Sequence, residues 1–201
     1  MRRISLFSLL CIMLLCGCED ETPEPEDAED DIDYVEIDQE VSLTMDYDES
    51  NTEDRIQIDI TQDGNIDFIF AVRDLRDHDG DYSEFDSPLA AVVYPQDENE
   101  VLDDSGYGYL TTLDDGASVD GEWSNASDDH TVRFILGTIG SPTAFPGAGP
   151  KFMGIKIKSE NGDLLTGWIQ LEISEDRDHI HVIDAAYQLV PELSINAGQI
   201  E

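Results

Sequence analysis

Asp59, Thr61, Asp63, Asn65 and Asp67 put an oxygen-bearing side chain at every second position of one short segment, with Gly64 in its middle. Hard oxygen donors at that spacing can wrap a single Ca²⁺. The glycine permits the sharp turn, and the residue after it can offer a backbone carbonyl. The spacing is that of a D-x-D-x-D-G-x-x-D calcium loop with Thr61 in place of the second aspartate. An EF-hand is excluded: its loop needs Glu at the twelfth position, where Phe70 stands, and the flanks here alternate like strands. Asp63-Gly64 would also turn a β-hairpin with no ion at all, and both readings stand on the sequence.

Other groups are weaker. Asp74, Asp77, Asp79, Gly80 and Asp81 form a second acidic cluster, irregular in spacing and best read as a solvated loop, although Asp79 could lend a ligand to a nearby site. His179 and His181 share one face of an expected strand. Zinc needs a third protein ligand, and His78 and His130 are far off in the chain, so exposed strand histidines are the expectation. Trp123, Trp168, Tyr107 and Tyr109 could stack on sugar rings, but aromatics at strand positions more often pack a core. There is no nucleophile elbow, zincin helix or phosphate loop, so a non-enzymatic role is expected.

The elements that would position these groups are strands. Helical periodicity is nearly absent. Ile56, Ile58 and Ile60 share a face, as do Ile66, Phe68 and Phe70. The same holds for Val132, Phe134 and Leu136, for Ile155 and Ile157, for Ile169, Leu171 and Ile173, and for Ile180 and Val182. Residues 34–47 and 89–94 add two more strands, and Asn161-Gly162 joins Asp63-Gly64 as a hairpin signal. Residues 137–150 carry four Gly and three Pro and must be a loop. Residues 95–130, rich in Asp, Ser and Gly, also look irregular. The expected fold is all-β, an antiparallel β-sandwich of jelly-roll type over residues 34–201.

Forty-seven acidic residues face ten basic ones, a formal net charge of −37. Phosphate repulsion opposes nucleic-acid binding and docking of the domain on anionic lipid. Selection for solubility and divalent-cation binding are the two causes that would produce such acidity. Ten of the fifteen residues from 19 to 33 are Asp or Glu, with Pro23 and Pro25 among them. Such a stretch cannot bury apolar area, and its charges repel, so it should be a disordered tether.

Before it, Arg2 and Arg3 precede an apolar run too short to span a bilayer as a helix, ending at Leu15-Cys16-Gly17-Cys18. This resembles the signal peptide and lipobox of bacterial lipoproteins. The resemblance implies residues 1–17 as a cleaved signal, lipidated Cys18 and the acidic linker at 18–33, and membrane attachment through Cys18. Glu19 and its neighbours resemble the acidic signal for export to the outer face of the outer membrane. With Cys11 and Cys16 removed and Cys18 acylated, the mature chain would hold neither disulfide nor free thiol.

The carboxy-terminal third has an ordered set of short runs: residues 152–157, Gly167-Trp168-Ile169-Gln170-Leu171, Ala185-Ala186-Tyr187 and Ile195-Asn196-Ala197-Gly198-Gln199. Together with Asp59 to Phe68 they resemble a group of exported β-rich bacterial proteins, many of which have Tyr where this chain has Thr166. The resemblance implies export and a β fold, and no activity. The sequence reading is thus an envelope-anchored surface module that binds a protein or glycan or serves a structural role, with Ca²⁺ as the expected cofactor. A carbohydrate-binding accessory or a hydrolase on the same sandwich is the alternative.

Overall fold

The computed structural model describes residues 32–44, 53–75, 89–125, 133–138 and 142–201. Cys18, the expected signal segment and the acidic stretch as far as residue 31 lie outside the described residues. So do Asp77, Asp79, Gly80, Asp81, His78, His130 and Val132.

Among the described residues ten strands follow one another: β1 (Ile32–Ser42), β2 (Glu53–Ile58), β3 (Phe68–Asp74), β4 (Leu89–Pro95), β5 (Glu100–Leu102), β6 (Trp123–Asn125), β7 (Phe134–Gly137), β8 (Lys151–Lys158), β9 (Leu164–Ile173) and β10 (His179–Gln188). They form a six-stranded sheet in the order β1-β10-β9-β8-β5-β6 and a four-stranded sheet in the order β2-β3-β4-β7. Every strand pairing is antiparallel, and the two sheets pack as the sandwich that the alternation predicts. Both hairpin signals turn where expected, Asp63-Gly64 between β2 and β3 and Asn161-Gly162 between β8 and β9. β5 and β6 are short strands inside the 95–130 stretch that composition alone marks as irregular.

The alternating sets meet in one core. Ile58, Phe68, Phe70, Phe134, Leu136, Ile155, Ile157, Ile169, Leu171, Ile173, Ile180 and Val182 are buried together between the sheets, with Ile56 packed against them. A period of two can aim every second residue inward only if the register is fixed, and the sheet pairing supplies that register. β1 begins at Ile32, two residues ahead of the expected domain start, and Asp33 accepts a hydrogen bond from the Tyr187 hydroxyl at 2.9 Å. As an edge strand β1 carries a bulge between Glu36 and Gln39, with Asp38 at φ +49°, a device that blunts edge-to-edge pairing.

The six-stranded sheet is also buried on its outer side. Leu113, Val119, Ile195 and Ala197, from irregular segments, cover Leu102, Phe152, Trp168 and Ala186 there. The Trp168 ring meets Phe152 edge-on at 5.2 Å, and its N–H donates to the Gln199 carbonyl at 3.1 Å. The runs around Gly167-Trp168, Ala185-Ala186 and Ile195 to Gln199 therefore converge on one small second core. Gly167 is required by closeness: a Cβ there would collide with the Ala186 carbonyl oxygen and the Tyr187 side chain. Overpacking of this kind costs about 1–3 kcal/mol. Gly167→Ala should lower the unfolding free energy by roughly that amount in urea denaturation; an unchanged midpoint would mean that β9 and β10 are not held at this distance.

Candidate functional site

The loop between β2 and β3 closes around the Asp67 carboxylate. Asp67 is buried at 6% exposure. Its Oδ2 accepts hydrogen bonds from the Ile60 N–H at 2.8 Å, the Thr61 N–H at 3.0 Å and the Thr61 hydroxyl at 3.3 Å. Asp59 caps the other side, its Oδ2 accepting the Gly64 N–H at 2.9 Å. Gln62 at φ +56° and Gly64 at φ +92° make the tight turn, the second a conformation that favours glycine. Asp63 accepts from the Asn65 backbone N–H at 2.7 Å and from its side-chain amide at 3.0 Å. Those bonds, the backbone one first, hold the exposed Asp63 carboxyl below its usual range.

Asp67 also ties the loop to the rest of the sandwich. Its backbone carbonyl accepts the Gln96 N–H at 2.9 Å and the Asn99 side-chain amide at 3.1 Å, and the same amide reaches its Oδ1 at 3.3 Å. Asn99 in turn accepts the Lys158 N–H at 2.8 Å. One chain of bonds thus runs from the β2–β3 loop of the four-stranded sheet, through the β4–β5 crossover, to the end of β8 in the six-stranded sheet. Burial pushes the Asp67 carboxyl above its usual range, and the bonds from Thr61, Ile60 and Asn99 oppose that shift.

Of the five sequence-predicted metal residues, the structure joins Asp59, Thr61 and Asp67 in one group and Asp63 and Asn65 in another. The Thr61 hydroxyl lies 3.5 Å from Asp59 Oδ1 and 3.3 Å from Asp67 Oδ2. The two contacts are hydrogen bonds of one hydroxyl, and they bring three hard oxygen atoms near one another. The donor set is carboxylate, hydroxyl and amide oxygen, hard ligands that suit Ca²⁺ and not zinc. Among the described residues no three His, Cys, Asp or Glu side chains converge to hold a metal ion, so backbone carbonyls and water would have to complete the shell. A recess of about 540 Å³ opens beside the turn, lined by Asp63, Asn65, Asp67, Asp97, Glu98 and Asn99 together with Lys158, Ser159 and Glu160.

Other predicted residues fall elsewhere. His181 meets Asp38 at 3.0 Å, while His179 faces Ser42 across the β1–β10 ladder. Asp74 is buried and has a partner of its own. Trp168 is core, Tyr107 is 85% exposed at a loop tip, and Lys156 lies 4.6 Å over the ring of Trp123.

Two structural residues escaped the sequence reading. Asn99 is one. The other is Asp103, buried at 2% exposure, whose carboxylate accepts the N–H groups of Ser105, Gly106 and Gly108 at 3.0, 3.1 and 2.9 Å. An aspartate followed by Ser and two glycines at these offsets is the local signal for such a turn. Asn99 has no comparable signal, since its partner lies 32 residues away.

No family model, curated protein or solved structure matches the chain. Asn99→Ala removes both ends of the strap and strands buried groups at each. Roughly 2–4 kcal/mol of stability should be lost in urea denaturation; a loss under about 1 kcal/mol, the scale of one ordinary hydrogen bond, would contradict the strap.

Proposed function

We propose that this chain is an envelope lipoprotein anchored through Cys18 to the outer membrane and facing outward. Its sandwich acts as a non-enzymatic binding or structural module, braced by Ca²⁺ at Asp59, Thr61, Asp63, Asn65 and Asp67. The observation that carries the calcium reading is the convergence of the Asp59, Thr61 and Asp67 oxygens at 3.3–3.5 Å in a turn already closed by Gly64. An ion there would fix the same turn from which the Asp67–Asn99–Lys158 bonds depart. Its effect would therefore reach both sheets.

The position of the loop supports the same reading. β1 opens at Ile32 opposite Gln188, the end of β10. Tyr187 of β10 lies opposite Gly167 of β9, and Gly167 opposite Ile155 of β8, so the start of β1, the end of β10, the start of β9 and the end of β8 lie toward one pole of the sandwich. Glu100 of β5 pairs with Lys156 at that pole, next to the turn from β4. The polypeptide therefore enters the domain at the pole that holds the 59–67 loop. A tethered domain with no cysteine of its own gains from a brace at its point of attachment. The hydrolase alternative draws on a carboxylate pair in a loop-lined cleft, and the glycan-binding and accessory alternatives draw on exposed aromatics. Tyr107 remains available to them, whereas Trp168 is committed to packing.

Calcium should raise the melting temperature of the protein relative to chelator, and Asp63→Ala should abolish that rise while leaving the melt in chelator nearly unchanged. Asp63 is exposed and bonds only within the turn, so its structural contribution is small. Equal lowering in both buffers would leave a plain hairpin turn.

A further inference from the structure

Between the second core and the pole where β1 begins, the outer side of the six-stranded sheet opens into a cleft of about 660 Å³. Its floor comes from three strands. Lys156 of β8 and Thr166 of β9 face each other across their ladder, and paired residues stand on one side of a sheet. Trp123 of β6 pairs with Leu102, a member of the second core, and so stands on that same outer side. Two loop segments, 118–120 and 191–194, form the walls. The Val119 N–H ties the first to the end of the second, donating to the Ile195 carbonyl at 3.1 Å. The Gln188 side-chain amide ties the second to β10, donating to the Ser194 carbonyl at 3.1 Å. The cleft is therefore held open by the fold itself.

The donors on this floor are not matched. The Lys156 ammonium lies 4.6 Å over the Trp123 ring and reaches the Glu100 carboxylate only at 3.7 Å, longer than a hydrogen bond. The Trp123 indole N–H meets no acceptor among the described residues, whereas that of Trp168 donates to Gln199. Neither Lys156 nor the Trp123 N–H is sealed from solvent. Acceptors are plentiful in a chain with 47 Asp and Glu residues, yet these two donors are left without one. The surface around them is mixed. Partly buried Leu164 adds apolar area, and the exposed Asp120, Asp163 and Glu192 stand on the rim.

We propose that this cleft binds a neutral saccharide. Lys156 and the Trp123 N–H donate to its hydroxyl oxygens, the rim carboxylates accept its hydroxyl protons, and the exposed part of the indole packs with Leu164 against its C–H surface. A hydroxyl both donates and accepts, so it answers the floor and the rim at once. An anion would satisfy the two donors, but the three rim carboxylates and the net charge of −37 repel it. An organic cation would meet the Lys156 ammonium already lying against the ring it needs. A purely apolar ligand would strip water from Lys156 and the indole N–H and return no hydrogen bond. Aromatic and apolar surface with a few placed polar groups is the usual make-up of a small-molecule site. The saccharide assignment rests on the binding-module reading, supplies its ligand class and makes no use of the calcium loop.

The test uses the ¹⁵N-labelled full chain in a polyoxyethylene detergent, which carries no sugar, and NMR of its two indole N–H groups, Trp123 in the cleft and Trp168 outside it. The probes are neutral trisaccharides of glucose, mannose, galactose and N-acetylglucosamine, each titrated separately, with trigalacturonate as the anionic counterpart. At least one neutral probe should shift the Trp123 resonance saturably and leave Trp168 in place, and trigalacturonate at the same concentration should shift neither. Lys156→Met keeps an apolar stem against the Trp123 ring and removes the donor, and should weaken binding by about tenfold or more. Asp163→Asn alters an exposed rim side chain that has no partner among the described residues. It should weaken binding several-fold, and it decides the matter if the first variant does not fold. Silence at Trp123 with all the neutral probes, an equal response at Trp168 or to trigalacturonate, or undiminished binding in the folded variants would overturn the inference. A chain that ignores the saccharides yet melts higher in calcium would overturn it alone and leave the brace standing.

Discussion

A single buried carboxylate sets the geometry of one pole of this sandwich. Asp67 is nearly buried, and it gathers backbone N–H groups from Ile60 and Thr61 while its own carbonyl and side chain hold Asn99. A carboxylate in that position is costly unless its oxygens are met. When they are met, the net gain is modest, because the same oxygens were hydrated in the unfolded chain. The importance of the arrangement lies in the asymmetry. Removing any one partner leaves a desolvated group behind, so the loop, the β4–β5 crossover and the end of β8 can occupy only one mutual arrangement.

This matters in a chain whose three cysteines all precede residue 19. The sheets are held by the apolar core, which fixes their separation, and by polar straps, which fix their alignment. The Asp103 turn works in the same way on a smaller scale, a buried carboxylate satisfied by three backbone N–H groups. On the proposed reading, calcium would act on the more exposed partners of the Asp67 turn, Asp59 and Asp63. These carry like charges close together, and a divalent ion would relieve their repulsion. Acidity that is a burden to a compact state would then be offset at this turn.

Most of the inner core was legible because a strand aims alternate residues to one side. Ile155 and Ile157, or Ile169, Leu171 and Ile173, could be assigned to a face with no knowledge of their partners. The hairpins were legible for a related reason: Asp63-Gly64 and Asn161-Gly162 need only local conformation. The second core was not. Leu113, Val119, Ile195 and Ala197 come from segments with no period, and nothing local says that they fold back over Trp168. The run from Gly167 to Gln199 was noticed as a pattern, yet its physical cause is the close approach of β9 to β10 beneath the carboxy-terminal segment. The residues of the 59–67 loop could be grouped from the sequence because they are neighbours in the chain, but Asn99 was missed. It matters only through a partner far along the chain, Asp67.

The central claim is that the 59–67 turn and the end of β8 respond as one unit through Asp67 and Asn99. Amide hydrogen exchange of Ile60, Thr61 and Lys158, measured in calcium and in chelator, tests it most directly, because each of these three N–H groups donates to one link of the strap. The account predicts that exchange at all three slows together when calcium is added. Slowing at Ile60 and Thr61 with Lys158 unmoved would contradict the coupling, and no change at any of the three would contradict the brace itself.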